Sequence, residues 1–235
     1  MTTWLTRLTL DSSRGDVREE LRNAVAMHRR VMSLFPDLPG IEEARHHLGV
    51  LHRVEQGERW AVLMVQSNKE ATPEQLPDGY ATDSASRNIE PLLDALAHGR
   101  RLSYRCDASP VRRPGHTTRE LYKNLPRVVA LHGRHADEWW YRRAGLAGLK
   151  IHTHLSHPLD AAVGRRGKGN GTQKVRHHRV RFEGTAEIID PDALRAAMTG
   201  GIGRGQAYGC GLLTIAPLRT GEESPATSLR QRANS

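Results

Sequence analysis

The stretch Trp4-Leu5-Thr6-Arg7-Leu8-Thr9-Leu10 alternates apolar and polar side chains with period two, and Asp16 to Leu34 then sets Val17, Leu21, Ala24 and Val31 at helical spacing. A half-buried strand therefore leads into an amphipathic helix, which Pro36 and Pro39 end. Outward from this pair, two strand-like runs follow, Leu48 to Glu55 and Arg59 to Gln66, with Gln56-Gly57-Glu58 as their hairpin turn. After a polar loop rich in Pro, Asp and Ser, Ile89 to Ala97 reads as a helix and Arg101 to Cys106 as a strand. The resulting order, β-α-β-β-α-β, is that of a ferredoxin-like unit.

A loop containing Pro110, Pro114 and Gly115 separates this unit from a second half that repeats it in outline, without a residue-level repeat. There Arg127 to Leu131 is apolar, Ala136 to Ala147 is helix-like and carries Trp139 and Trp140, and Lys150 to His157 alternates as a strand. Residues 163–173 form a glycine-rich basic loop, a hairpin tip or a disordered segment, before a long strand from Lys174 to Ile189. Asp190 is placed to cap a helix over Pro191 to Met198, and a last apolar strand follows a run of glycines. The expected fold is α+β, two tandem ferredoxin-like (RRM-like) domains. The first spans residues 1–108, a linker covers 109–122, the second domain spans 123–218 and a disordered tail 219–235.

The 235 residues carry a formal net charge of +9, and the excess is not uniform. Residues 1–119 hold 17 Lys+Arg against 16 Asp+Glu, whereas 120–235 hold 18 against 10. Between 142 and 181 there are ten basic residues and one acid, Asp160, a local field suited to a polyanion such as nucleic acid. Arginine outnumbers lysine 30 to 5 throughout, but such a bias explains residue identity better than clustering. Cys106 and Cys210 are too few and too far apart for a disulfide framework or a zinc ribbon, which points to a reducing, cytoplasmic setting. The longest apolar run, Trp60 to Val65, is six residues, so no membrane partner is expected.

Gly200 to Pro217 packs six glycines and Arg204 into its first twelve residues and then becomes the last strand. Glycine accepts positive φ and lacks a Cβ, so successive amides there can converge on an anionic oxygen while Arg204 adds a planar donor fork. A tight helix-to-strand turn explains Gly201, Gly203, Gly205, Gly209 and Gly211 equally well, and both readings stand. The spacing matches neither a nucleotide-phosphate loop nor a dinucleotide fingerprint.

The N-terminal Trp-Leu-Thr-Arg-Leu strand, Met27-His28-Arg29, Phe182-Glu183-Gly184, Asp190-Pro191 and the closing Gly-Ile-Gly-Arg-Gly-Gln-Ala-Tyr-Gly-Cys-Gly-Leu-Leu-Thr-Ile-Ala-Pro together resemble the CasE family of CRISPR repeat-processing endoribonucleases. The matches span residues 4–218, and the glycine block is their most specific part. The resemblance implies cleavage of CRISPR precursor RNA at the base of each repeat hairpin. It also implies retention of the product among the other subunits of Cascade, the type I-E surveillance complex. The chemistry so implied needs neither metal nor cofactor: a ribose 2′-hydroxyl attacks the adjacent phosphorus, leaving a 2′,3′-cyclic phosphate.

By the same resemblance His28 is the catalytic histidine, and Lys168 a point charge near the scissile phosphate. By pattern alone, His28 falls on the apolar stripe of its helix and fits a satisfied core histidine. Some relatives carry a tyrosine three residues before it, where this chain has Val25. Arg165, Arg166 and Lys168 sit in a loop similar to the family's basic hairpin. Arg29, Lys174, Arg176 and Arg204 complete the expected RNA-binding set, alongside Tyr208, read as a base-stacking or packed ring. Arg142 and Arg143 lie on a helix face that touches the RNA stem or is merely solvated. Two alternatives remain. One is a non-catalytic RNA-binding subunit. The other is a two-histidine phosphoesterase built on His116-Thr117-Thr118 and His154-Leu155-Ser156. His152, His154 and His157 begin a metal-like cluster that no nearby acid pattern completes, so no metal is expected.

Overall fold

The computed structural model describes residues 2–37, 44–57, 60–122, 124, 126–167 and 171–218. Its elements in chain order are β1 (Trp4–Leu10), α1 (Gly15–Arg22), α2 (Ala24–Met32), α3 (Ala44–His47), β2 (Leu51–Gln56), β3 (Ala61–Ser67), β4 (Ala81–Asn88), α4 (Glu90–Asp94) and β5 (Arg101–Ala108). They continue with β6 (Val111–Arg112), α5 (His116–Leu121), β7 (Val129–Ala130), α6 (Arg134–Leu146), β8 (Leu149–Arg166), β9 (Gln173–Ile188), α7 (Pro191–Gly200) and β10 (Leu213–Pro217). Two four-stranded antiparallel sheets result, ordered β2-β3-β1-β4 and β10-β5-β9-β8. In each sheet the unit's first strand lies between its third and fourth, with its second at the edge beside the third. Both are thus the same ferredoxin-like arrangement, and the tandem architecture expected from the sequence is present.

Three assignments shift. Arg101–Ala108, placed by the sequence in the first unit, pairs with β9 and β10 and is a central strand of the second sheet. Leu102, Tyr104, Cys106 and Ala108 are buried in the second core, so burial and pairing agree. The fourth strand of the first sheet is instead β4, in the segment read as a polar loop. Seven of its eight residues are exposed, so it has no apolar period to detect. It is held by the backbone ladder to β1, and by cross-strand contacts such as Arg7–Asp83 at 2.7 Å and Thr6–Ser86 at 2.9 Å. The second helix of the first unit shrinks to a 3₁₀ turn, Pro73–Gln75, while Ile89 and Leu93, at α4, carry the chain into the second core.

The helix expected over Asp16 to Leu34 is two. Asn23 adopts an extended conformation between α1 and α2, and its side chain accepts hydrogen bonds from the Val25 and Ala26 amides. Such a cap starts a new helix. The second core is built on aromatics: Trp140 stacks on Phe182 with centroids 4.8 Å apart, and its indole N–H donates to the Tyr104 hydroxyl at 3.3 Å. The segment expected as a linker holds α5 and the short strand β6, which pairs with β7 just beyond it. Residues 219–235, expected as a disordered tail, lie outside the described residues.

The open faces of the two sheets meet through a polar layer. Arg53 on β2 is 3% exposed; it pairs with Glu55 at 2.7 Å and donates to the Arg105 and Leu212 carbonyls and the Thr214 hydroxyl. Arg105 bridges Glu55 at 2.9 Å to Glu183 at 2.8 Å. Gln66 donates to the Met198 carbonyl at 2.7 Å.

Candidate functional site

Met27 and Val31 of α2 take the first core, and His28, about 100° round the helix from Met27, is turned aside from it. The Asn23 cap sets that phase. His28 is half-buried, and its Nδ1 is buried without a hydrogen-bond partner among the described residues. An edge contact joins it to the Tyr208 ring, with centroids 6.1 Å apart and planes at 70°. Tyr208 in turn stacks on His177 of β9 at 5.4 Å. Burial, then the charges of Arg45 and Arg166, lower the His28 pKa below its ordinary 6.5. The free imidazole is therefore held neutral, the state of a proton acceptor.

Beside it His52 on β2 is 2% exposed, and burial, reinforced by the positive fields of His28, Arg179 and Arg45, takes its pKa to about 3. A histidine that protonates when unfolded but not when folded lowers stability as pH falls from about 6.5 towards about 3. The slope is about 1.4 kcal/mol per pH unit. His52→Leu is expected to flatten that slope in urea unfolding between pH 6.5 and 4.5, relative to the parent chain, and an unchanged slope refutes the buried neutral state.

The glycine run closes the site from above. Tyr208 belongs to the 3₁₀ turn Gln206–Tyr208, flanked by Gly205 and Gly209, both at φ +78°. A Cβ on Gly205 would stand 3.1 Å from His177 Nδ1, close enough to press on the imidazole, and at φ +78° a side chain is strained in any case. Several amides of the run are already committed: Ile202 donates to Gly211, Gly211 to Asp107, Cys210 and Tyr208 to Gly205, and Gly201 to Ala197. The glycines thus serve mainly to fold a tight turn that seats Tyr208, rather than to present a row of open donors. Arg204 is exposed, and its backbone bridges to Ser109.

The long β8–β9 hairpin reaches across to α2. Gly164 makes this possible, since a Cβ there would stand 2.7 Å from Val25 Cγ2 and 2.8 Å from Asn23 Oδ1. Arg166 shares the α2-facing side with Gly164, while its cross-strand partner is Gln173. Arg165, however, pairs with Lys174, and Val163 with Arg176, so these three cations project from the opposite face. The basic residues expected as one grip are split. Arg166 faces His28, whereas Arg165, Lys174 and Arg176 line the back of the hairpin. Arg29 is exposed on α2. Lys168 lies outside the described residues.

His52, His177 and Arg45 were not singled out by the sequence. Each sits in an ordinary polar context, and only the folded chain brings His52 and Arg45 within the electrostatic reach of His28 and His177 onto the same Tyr208 ring. The other histidines go elsewhere. His152 meets Glu187 at 3.2 Å and His157 meets Glu183 at 3.6 Å, while His154 is fixed between Asp137 at 3.1 Å and the Tyr104 hydroxyl at 3.2 Å. Among the described residues no three His, Cys, Asp or Glu gather in metal-ligating geometry. His116 opens helix α5, exposed beside Glu120, and is not on a strand as the two-histidine phosphoesterase reading requires; that reading is set aside. Both cysteines are buried, with thiol pKa values pushed up by desolvation, that of Cys210 to about 12. Neither is an activated nucleophile. No helix among the described residues is long and apolar enough to cross a membrane.

Comparison with known proteins matches residues 3–217 to a family described as CRISPR associated protein. Over 218 residues the chain is 31% identical to the CRISPR-associated endoribonuclease Cse3 of Thermus thermophilus, covering 91% of this chain and all of that one. The solved structure of Thermus thermophilus Cse3 bound to an RNA representing a pre-cleavage complex superposes with a TM-score of 0.74 at 29% identity, over 92% of this chain and 100% of the other. A chain of a pre-nicking CRISPR RNA-guided surveillance complex gives 0.66 at 32% identity, again over 92% and 100%. Cas6e from Escherichia coli K-12, at 21% identity and 0.62 over 92% and 100%, shares the fold.

Proposed function

The chain belongs to the CRISPR-associated CasE (Cse3) family, and from that premise we propose that it is an endoribonuclease. It cuts CRISPR precursor RNA at the base of the repeat hairpin and keeps the product as a subunit of the surveillance complex. The observation that carries this reading is His28: a neutral imidazole, turned off the core, with Arg166 from the hairpin and the Tyr208 turn beside it. A 2′-hydroxyl seated there loses its proton to His28 and attacks the adjacent phosphorus, while the Arg166 guanidinium balances the charge gathering on the phosphoryl oxygens. The bond to the 5′-oxygen breaks, leaving a 2′,3′-cyclic phosphate and a 5′-hydroxyl.

Two features support RNA as the ligand. The second half carries the positive excess, and the hairpin presents cations on both faces, Arg166 towards His28 and Arg165, Lys174 and Arg176 behind. A hairpin stem is gripped mainly through its phosphates and shape, because the deep major groove of A-form RNA excludes side chains. One labelled repeat hairpin incubated with the purified protein in excess EDTA is expected to yield a single cut with a cyclic-phosphate or 3′-phosphate end. Saturating binding with no cut overturns the reading in favour of a non-catalytic RNA-binding subunit.

A further inference from the structure

The reaction proposed above moves two protons, one off the 2′-hydroxyl and one onto the departing 5′-oxygen, and His28 accounts for the first. Resting on that reading, we propose that His177 is the second proton-transfer group, the acid that protonates the leaving 5′-oxygen. His28 and His177 flank the same Tyr208 ring, one by an edge contact at 6.1 Å and the other by a stack at 5.4 Å, so two imidazoles from different elements stand one aromatic ring apart. His177 also lies on the α2-facing side of the hairpin, the side that carries Arg166.

His177 is half-buried, and among the described residues no protein group hydrogen-bonds its ring nitrogens. Nearly every other histidine of the second sheet has a carboxylate or a ring neighbour outside this site: His152, His154 and His157 meet acids, and His178 packs on His132 at 4.1 Å. Gly205 exists as glycine where the His177 ring lies, and the Tyr208 stack fixes the ring's plane. His52 cannot serve, being 2% exposed. A tyrosine phenol is a far weaker acid than an imidazolium.

Arg204 gives the site its timing. Burial and then the Arg204 charge lower the His177 pKa in the empty protein. A phosphate arriving beside Arg204 offsets that charge and so shifts His177 towards the imidazolium relative to the empty protein. In the step itself the 2′-oxygen–phosphorus bond forms and the phosphorus–5′-oxygen bond breaks. The 2′-hydroxyl proton ends on His28, the His177 proton ends on the 5′-oxygen, and exchange with water restores both rings.

The test uses the full chain and two hairpins, one with the natural 5′-oxygen at the scissile position and one with a bridging 5′-sulfur. A thiolate leaves without prior protonation, since thiol pKa values lie near 8.5. His177→Gln is expected to slow single-turnover cleavage of the oxygen hairpin by about 10² to 10³. On the sulfur hairpin the same preparation is expected to come within about threefold of wild type. His28→Ala stays slow on both. The two rates come from one preparation, so any misfolded fraction cancels in their ratio. Equal slowing of His177→Gln on both hairpins, or no slowing on oxygen, overturns the assignment. Failure of the wild-type protein to cut either hairpin overturns the endoribonuclease reading itself.

Discussion

His28→Ala is expected to lower the single-turnover rate of hairpin cleavage by about 10² to 10⁴, the range for removing a positioned acid or base, while hairpin binding is retained. Binding survives because the cations that meet phosphate, Arg166 on one face of the hairpin and Arg165, Lys174 and Arg176 on the other, are untouched. The fold survives because His28 is only half-buried and its Nδ1 satisfies no other group. The pH profile carries the same claim with a definite sign. Burial, Arg45 and Arg166 lower the His28 pKa, so the base form persists below pH 6.5. On the acid side, the kcat/KM of the wild-type chain is expected to begin falling only below pH 6.5, as the imidazole gains its proton. Wild-type cleavage by His28→Ala ends the assignment.

Arg53→Ala is expected to destabilise the chain by about 3 kcal/mol, a large share of the roughly 5–15 kcal/mol that holds a typical domain together. Arg53 is 3% exposed and spans the two sheets, pairing with Glu55 at 2.7 Å while donating to the Leu212 and Arg105 carbonyls at 3.3 Å. Burial opposes the Glu55 charge, but Arg53 and Arg105 outweigh it and hold the carboxyl below its ordinary range. Truncation leaves Glu55 with Arg105 alone and removes one donor from each of the Leu212 and Arg105 carbonyls. Because this layer also sets the second sheet, which carries His177, against the first unit, whose α2 carries His28, cleavage should weaken at temperatures where the fold is still largely intact. Urea unfolding measures the first effect; a loss under about 1 kcal/mol overturns the view of this layer as the seam of the molecule.

The strand and helix pattern was readable wherever one face of an element is apolar. Trp4 to Leu10, the Trp139 and Trp140 helix, the Lys174 to Ile189 strand and the Asp190 cap all appear in the fold close to where periodicity sets them. β4 was not readable, because an edge strand exposed along nearly its whole length needs no hydrophobic alternation, only a backbone partner. Nor was the break at Asn23, since the apolar stripe runs on through both helices and the cap is a local competition between side chain and backbone.

Within the site, His28 was legible through resemblance, and the glycine run through its composition. The split of the basic hairpin was hidden in the register: whether a cation on β8 or β9 faces α2 depends on which residue opposes which, and a one-residue slip reverses every side chain. By itself, then, the order of residues determined the two ferredoxin-like units, the surplus of positive charge in the second half and the family. Only the tertiary structure decided which imidazoles gather at Tyr208 and which guanidinium meets them. Those residues lie on α2, β8, β9 and the last turn, far apart along the chain, and long-range packing, not local pattern, brings them together.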